Sequence, residues 1–445
     1  MRRSLVLTIL ASLTAVLIMC FGQCTRAERS RKDGDVHRGP SIESGVGAGA
    51  GISQGQGPQR TVGSAGGQSI AFLKGDRALG IPFKIVDELI VVSAKLNDST
   101  PVDLFLDTGF GSKGVVLFDP RLGRELGLNY VAKMNLGGGG NEGGETASVA
   151  VGASLSLPGV RIGNQQVIVM SGNGPFSDPV ADGIVGGSLF DCVVEIDYDN
   201  RVLNLYKEVP QRVDESAERF DLSFTQGIPV VEAQVFLDGK ETIPVKLIVD
   251  TGAGLPLFLF TYSNRMFRPP RTNIAARDEG LNGAMAYVAG RVPVLRLGKF
   301  MFRGIVTAFL DEKAMGSAVI LGQNGFLGHE TLQLFRVVFD YSKAHMFLRP
   351  NTRYGTDFDF NMAGLVLKTK RDGTIAVFDV VTNSPASQQG LKSGDLIVAI
   401  NDRDIDSISA DELCNLFVQQ GKKVKLTVER DSQRLDFTLS LRQLI

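Results

Sequence analysis

The chain has 445 residues, more than one ordinary hydrophobic core accommodates, so two to four domains are expected. It is 43% hydrophobic and 21% charged, with a formal net charge of −1; this fits a globular protein and gives no sign of a nucleic-acid or anionic-membrane surface. Its three histidines, His37, His329 and His345, are scattered, and neither HExxH nor GxSxG occurs; this argues against a zinc hydrolase and a Ser-His-Asp hydrolase, and no metal or cofactor is expected.

Residues 1–27 read as an export signal or an N-terminal anchor. Arg2 and Arg3 precede an uncharged apolar run from Leu5 to Phe21, with cleavage expected after Ala27. The run is near the minimum length for spanning a bilayer, which keeps membrane anchorage open. Cys20 and Cys24 lie in this leader, but the residues before them match a lipoprotein signal poorly. Cys192 and Cys414 fall in different domains, so no disulfide within a domain is expected. Residues 28–70 are rich in Gly, Ser, Gln and Arg and carry too little apolar surface to offset the entropy of ordering; a disordered linker is expected.

From residue 71 the pattern is that of short strands. Ile81 to Val86 and Leu89 to Val92 are rich in branched residues, and turn signals recur at short intervals. Helical periodicity is nearly absent until residue 409, which predicts a mostly β architecture. One motif then occurs twice. Leu104 to Gly109 reads Leu-Phe-Leu-Asp-Thr-Gly and Leu247 to Gly252 reads Leu-Ile-Val-Asp-Thr-Gly. In each, a buried strand would deliver one carboxylate to a tight turn that the glycine permits.

The doubling extends downstream. Asp182-Gly183-Ile184-Val185-Gly186 has a partner in Asn324-Gly325-Phe326-Leu327-Gly328, and Val193 to Tyr198 has one in Arg336 to Tyr341. The pattern predicts two lobes, 71–212 and 213–352, each with one aspartate kept where burying a charge is costly. Residues 353–445 change character. Gly364-Leu365-Val366-Leu367 opens a strand, and Ser384-Pro385-Ala386 leads to Gly390-Leu391-Lys392-Ser393-Gly394-Asp395. Ser409 and Glu412 form a capping box for a helix expected to stop at Gly421.

The doubled Asp-Thr-Gly, each copy followed by two hydrophobic residues and a glycine, resembles the aspartic proteases over roughly residues 75–350. The likeness is greatest to the retropepsin-like proteases of bacterial exported proteins. Pepsin-type relatives carry Ser or Thr after Asp-Thr-Gly; here Phe110 and Ala253 occupy those places, and Ala253 resembles the retroviral pattern. The C-terminal residues resemble a bacterial PDZ domain, on Ser-Pro-Ala, Gly-Leu and Ser-Gly-Asp.

These resemblances imply two acid-protease β-barrel lobes related by a pseudo-twofold axis, followed by a PDZ-like α+β domain. Asp107 and Asp250 would be the catalytic pair. Thr108, Gly109, Thr251 and Gly252 would support the active-site turns. The glycine-rich stretch 137–144 would lie at a flap tip, with a second-lobe counterpart near Leu281 to Arg291. Gly364, Leu365, Val366 and Leu367 would line a site for peptide C-termini. The implied protein is an exported aspartic endopeptidase, periplasmic or extracellular, acting on polypeptides. A catalytically inactive peptide-binding protein on the same scaffold is the alternative, and pairing of lobes between two chains is a third arrangement.

Overall fold

The computed structural model describes residues 18–19, 69–140, 145–172, 179–214, 216–237, 241–316, 319 and 322–445. The expected linker up to residue 68 lies outside them. So does the expected leader, apart from Ile18–Met19, a two-residue strand beside Glu279 and Gly280. Among the described residues no helix is long and apolar enough to cross a membrane.

The fold is mostly β. The chain enters the first lobe at Ser69, because Ser69–Phe72 pairs with Val160 to Gly163; the linker was expected to continue to residue 70. Strands near the two aspartates change character along their length. Thr242–Val249 alternates exposed and buried residues, then becomes wholly buried over its last three. The chain leaves a half-solvated barrel wall there and enters the centre of the molecule.

The sequence repeat becomes a repeat of pairings. Gly183–Val185 lies parallel to the strand that carries Asp107, with Gly183 opposite Leu104. Gly325–Leu327 lies parallel to the strand that carries Asp250, with Gly325 opposite Leu247. The side chains of Asp182 and Asn324 perform the same task. Asp182 Oδ2 accepts the Asp103 N–H at 2.8 Å, and Asn324 Oδ1 accepts the Lys246 N–H at 2.9 Å. The glycines that follow them are steric requirements. A Cβ at Gly183 would collide with the Val116 carbonyl, and one at Gly325 with the Phe258 carbonyl.

Beneath both lobes runs a shared run of strands ordered Glu218–Asp221, His345–Pro350, Phe335–Asp340, Val193–Asp197, Val202–Tyr206 and Arg77–Val86. At its middle the two copies of the repeat pair with each other. Val194 opposes Phe339, Glu195 opposes Val338 and Ile196 opposes Val337. This antiparallel register places a pseudo-twofold axis at Glu195 and Val338. Each lobe also projects a long hairpin: Tyr130–Leu136 with Glu145–Leu157, and Asn273–Gly280 with Gly283–Leu297.

The C-terminal part is a separate sheet, ordered Leu365–Thr369, Ile375–Val380, Leu396–Ile400, Lys423–Arg430 and Gln433–Ser440. It has its own core, built on Leu365, Val377, Ile397, Phe417 and Leu426. The Ala410–Phe417 helix is capped by Ser409, whose Oγ accepts the Glu412 N–H at 3.2 Å. The helix ends at Phe417, short of Gly421, because the Met362 N–H takes the Phe417 carbonyl at 2.8 Å. The short Pro120–Glu125 helix was not anticipated, although Asp119 followed by Pro120 is a start signal.

Candidate active site

Asp107 and Asp250 end their strands on opposite sides of the pseudo-twofold axis. Each strand is held to its neighbour up to the aspartate itself: the Asp107 N–H donates to the Val185 carbonyl at 2.9 Å and the Asp250 N–H to the Leu327 carbonyl at 3.0 Å. The turns then fold back on their carboxylates. The Phe110 N–H donates to Asp107 Oδ1 at 3.0 Å, and the Gly252 N–H to Asp250 Oδ1 at 2.8 Å. Gly186 and Gly328, the last glycines of the downstream motif, lie under these turns. A Cβ at either would collide with the turn's own carbonyls.

The threonines lock the two turns together. The Thr108 N–H donates to Thr251 Oγ1 and the Thr251 N–H to Thr108 Oγ1, both at 3.0 Å. Each hydroxyl then donates across the axis at 2.7 Å, Thr108 to the Val249 carbonyl and Thr251 to the Leu106 carbonyl. All four bonds are buried, so losing one hydroxyl leaves an N–H and a carbonyl of the opposite lobe unsatisfied. Thr108→Val is expected to lower stability by about 1–3 kcal/mol in urea denaturation. Thr108→Ser is expected to restore most of it, whereas equal loss in both variants would point to packing rather than to the hydroxyl.

Gly109 and Gly252 owe their identity to the opposite lobe. Neither has a left-handed backbone, so the expectation that glycine serves the turn geometry is corrected. A Cβ at Gly109 would lie 2.6 Å from Asp250 Oδ2, and one at Gly252 would lie 2.7 Å from Asp107 Cγ. The glycines therefore let the two carboxyls meet. Those carboxyls stand close enough to act on each other's ionisation, and both aspartates have 0% exposure. Burial raises both above the usual carboxylate range, and the Asp250 charge raises Asp107 further. Two raised carboxyls this close favour holding one proton between them. Such a pair can take a proton from water with one carboxylate while the other carboxyl donates one to a carbonyl oxygen.

Phe110 is fully buried in an apolar cluster with Phe105, Leu136, Met170 and Leu281. Its ring thus fills first-lobe apolar space, while its N–H still serves Asp107. Beside Phe110, whose cluster includes Leu281, the hairpin tips meet. The Asn282 N–H donates to the Gly139 carbonyl at 2.9 Å, Asn282 Nδ2 donates to the Gly138 carbonyl at 3.1 Å, and the Gly140 N–H donates to the Ala314 carbonyl at 3.0 Å. Gly138, Gly140 and Gly280 make this approach possible, since a Cβ at each would collide with the facing tip. The second-lobe counterpart expected near Leu281 to Arg291 meets the glycine-rich tip through its first two residues, Leu281 and Asn282. Residues 141–144 of the glycine-rich stretch lie outside the described residues.

In the C-terminal domain, Gly364 has a φ of +75° and no room for a Cβ against Ser384. The Ala363 and Gly364 N–H groups converge on one oxygen, Asn361 Oδ1, at 2.9 and 3.2 Å. Leu365 faces the domain's own core, whereas Val366 joins the first-lobe cluster that contains Phe110. Among the described residues no group of three or more His, Cys, Asp or Glu is placed to hold a metal ion.

No curated protein matches the chain. Among solved structures, an aspartic proteinase from Irpex lacteus aligns with a TM-score of 0.40 and 13% identity, covering 63% of this chain and 98% of that one. Residues 92–189 match the family model described as aspartyl protease, and residues 363–441 match that of the PDZ domain. The chain is therefore similar to the aspartyl proteases across the first Asp-Thr-Gly lobe and to PDZ domains at its C-terminal end.

Proposed function

We propose that the protein is an aspartic endopeptidase that hydrolyses peptide bonds with a water activated by Asp107 and Asp250, and that its PDZ domain binds polypeptide substrates or their C-termini. The observation that carries this reading is the meeting of two buried carboxyls, one from each lobe, over a reciprocal threonine lock. That arrangement spends solvation energy on a shared proton, and acid–base chemistry on an amide is the use it suits. The test is cleavage of an unfolded protein substrate between about pH 3 and pH 8, with and without a pepstatin-type inhibitor. Internal fragments that vanish with the inhibitor support the reading. An absence of fragments at every pH favours a non-catalytic peptide binder, for which the joining of the two hairpin tips speaks.

The pH profile follows from the raised pair. Activity needs one proton on two carboxyls, and burial moves that window upward from the usual carboxylate range. The pH–rate profile is expected to peak in the weakly acidic to near-neutral region and to fall as the second proton leaves; a peak near pH 2 contradicts this. The sign for stability is the same. The folded pair binds its proton more tightly than the unfolded chain does, so its contribution is full below the ordinary carboxylate value of about 4 and is lost as pH rises.

Export rests on the leader, residues 1–27. Mass spectrometry of the mature N-terminus distinguishes its fates: a start after about Ala27 supports a cleaved signal, and an intact leader in the membrane fraction supports an anchor.

A further inference from the structure

The Leu365–Thr369 strand is the edge of the PDZ sheet, and its outer side is where an extended peptide adds to such a domain. The Lys370 N–H points inward, to the Thr374 carbonyl at 2.8 Å. Successive N–H groups alternate along a strand, so the Thr369 N–H points to the outer edge. Its acceptor there is Asp87, at the tip of the first hairpin of lobe 1. Asp87 Oδ2 takes the Thr369 N–H at 3.0 Å and Asp87 Oδ1 takes the Thr369 hydroxyl at 2.7 Å. The next residue, Glu88, lies on the far side of the groove, with Oε1 3.9 Å from Cys414 Sγ on the Ala410–Phe417 helix. Asp87 and Glu88 both have positive φ, so the turn enters the groove as a tight acidic tip.

The same PDZ strands hold the second flap. Asp379, on Ile375–Val380, accepts the Arg277 N–H at 3.0 Å and the Arg277 guanidinium at 2.9 Å. Lys368 pairs with Glu279 and lies 3.7 Å from Asp278. Arg277, Asp278 and Glu279 belong to the strand that leads to Leu281 and Asn282, the tip locked against Gly138 to Gly140. On the first lobe, Arg371 pairs with Asp182 at 2.9 Å, and Asp182 anchors the strand of Asp107 through the Asp103 N–H. On its other side the PDZ domain is pinned to lobe 2. Arg291 donates to the Phe358 carbonyl at 2.8 Å and to the Ile445 carbonyl at 3.2 Å.

We infer that the PDZ domain is a clamp on the flaps: its own chain's Asp87–Glu88 tip occupies the peptide groove, and a peptide that takes the groove releases the second flap and opens the site. The competitor is an extended peptide with a free C-terminal carboxylate, able to pair with the Thr369 edge and to claim the convergent Ala363 and Gly364 N–H groups. The Arg291 contacts keep the domain attached while its groove edge and flap contacts let go. Coupling of this kind is reciprocal: whatever opens the flaps also raises the affinity of the groove for peptide. The effect on cleavage rests on the protease reading, whereas the effect on the flaps does not.

The test is hydrogen exchange of the full chain, read at the amides of the second tip, above all Asn282, whose N–H donates to the Gly139 carbonyl. Wild type is compared with Asp87→Ala and Asp379→Ala, and with wild type plus a short synthetic peptide ending in Val, its amidated twin serving as control. Both variants and the free-carboxylate peptide are expected to speed exchange at these amides about tenfold or more, with the amidated peptide much weaker. Asp87→Ala is also expected to bind the peptide more tightly. Cleavage of an unfolded substrate should rise in the same samples. Unchanged flap exchange in folded Asp379→Ala and in wild type saturated with peptide overturns the clamp. Faster exchange without cleavage in any sample leaves the clamp standing and removes the protease reading instead.

Discussion

Asp107→Asn and Asp250→Asn are each expected to reduce cleavage by about 10³-fold or more while leaving the fold intact. The reason is the division of labour within the pair. One proton serves two carboxyls, so an amide in either place removes either the base that takes the water proton or the acid that supplies one to the carbonyl. The loss belongs to the pair, and the double variant should lose little more than either single one. Stability should respond differently. Both carboxyls are raised by burial, so exchanging one for a neutral amide of similar shape removes a group whose ionised form the interior resists. Thermal denaturation at neutral pH is expected to show no loss in either variant. A variant that loses activity and stability together would instead mark Asp107 as a structural carboxylate. The same proteins decide whether sites form between chains. Both aspartates come from one chain, and each carboxyl packs against the other's turn, so mixing the two single variants should recover no activity.

Much of this architecture is legible in the sequence, and the reason is periodicity. A duplicated unit leaves matching phrases at matching intervals, and those around Asp107, Gly186 and Tyr198 recur around Asp250, Gly328 and Tyr341. The structure turns each phrase into a pairing: aspartate strand with glycine strand inside a lobe, then copy with copy across the axis. The lock between Thr108 and Thr251 could be anticipated because reciprocal partners carry the same residue type. Contacts between unlike segments leave no such trace. Nothing in Asp87-Glu88 marks a turn that reaches the PDZ edge strand, and nothing in Leu281-Asn282 marks a tip that meets Gly138 to Gly140. Those contacts depend on where whole domains come to rest. The position after the first Asp-Thr-Gly falls between these cases: Phe110 departs from the family pattern in sequence, and only the packing shows its ring absorbed by the apolar cluster beside the flap tip.

Gly109→Ala and Gly252→Ala should each lower activity about a hundredfold or more, through the opposite lobe's aspartate. A methyl at Gly109 would stand 2.6 Å from Asp250 Oδ2, and one at Gly252 would stand 2.7 Å from the Asp107 carboxyl carbon. Both approaches are far inside van der Waals contact, and the obstructing atoms belong to buried side chains held by their own turns. Asp250 is fixed by the Gly252 N–H and Asp107 by the Phe110 N–H, so the lobes must part or a carboxyl must turn away. Either response separates the pair by something on the order of an ångström, a misplacement that costs about 10²-fold in rate. Overpacking of this kind costs about 1–3 kcal/mol in stability as well. Alanine fits the backbone conformation of both glycines, so turn geometry alone predicts near-normal activity, and the two explanations diverge cleanly. The pH–rate profile gives the finer reading. With the carboxyls forced apart, each should titrate closer to an ordinary buried aspartate, and the window in which they share one proton should narrow. An alanine variant with wild-type activity and an unchanged profile would show that the carboxyls do not need to touch.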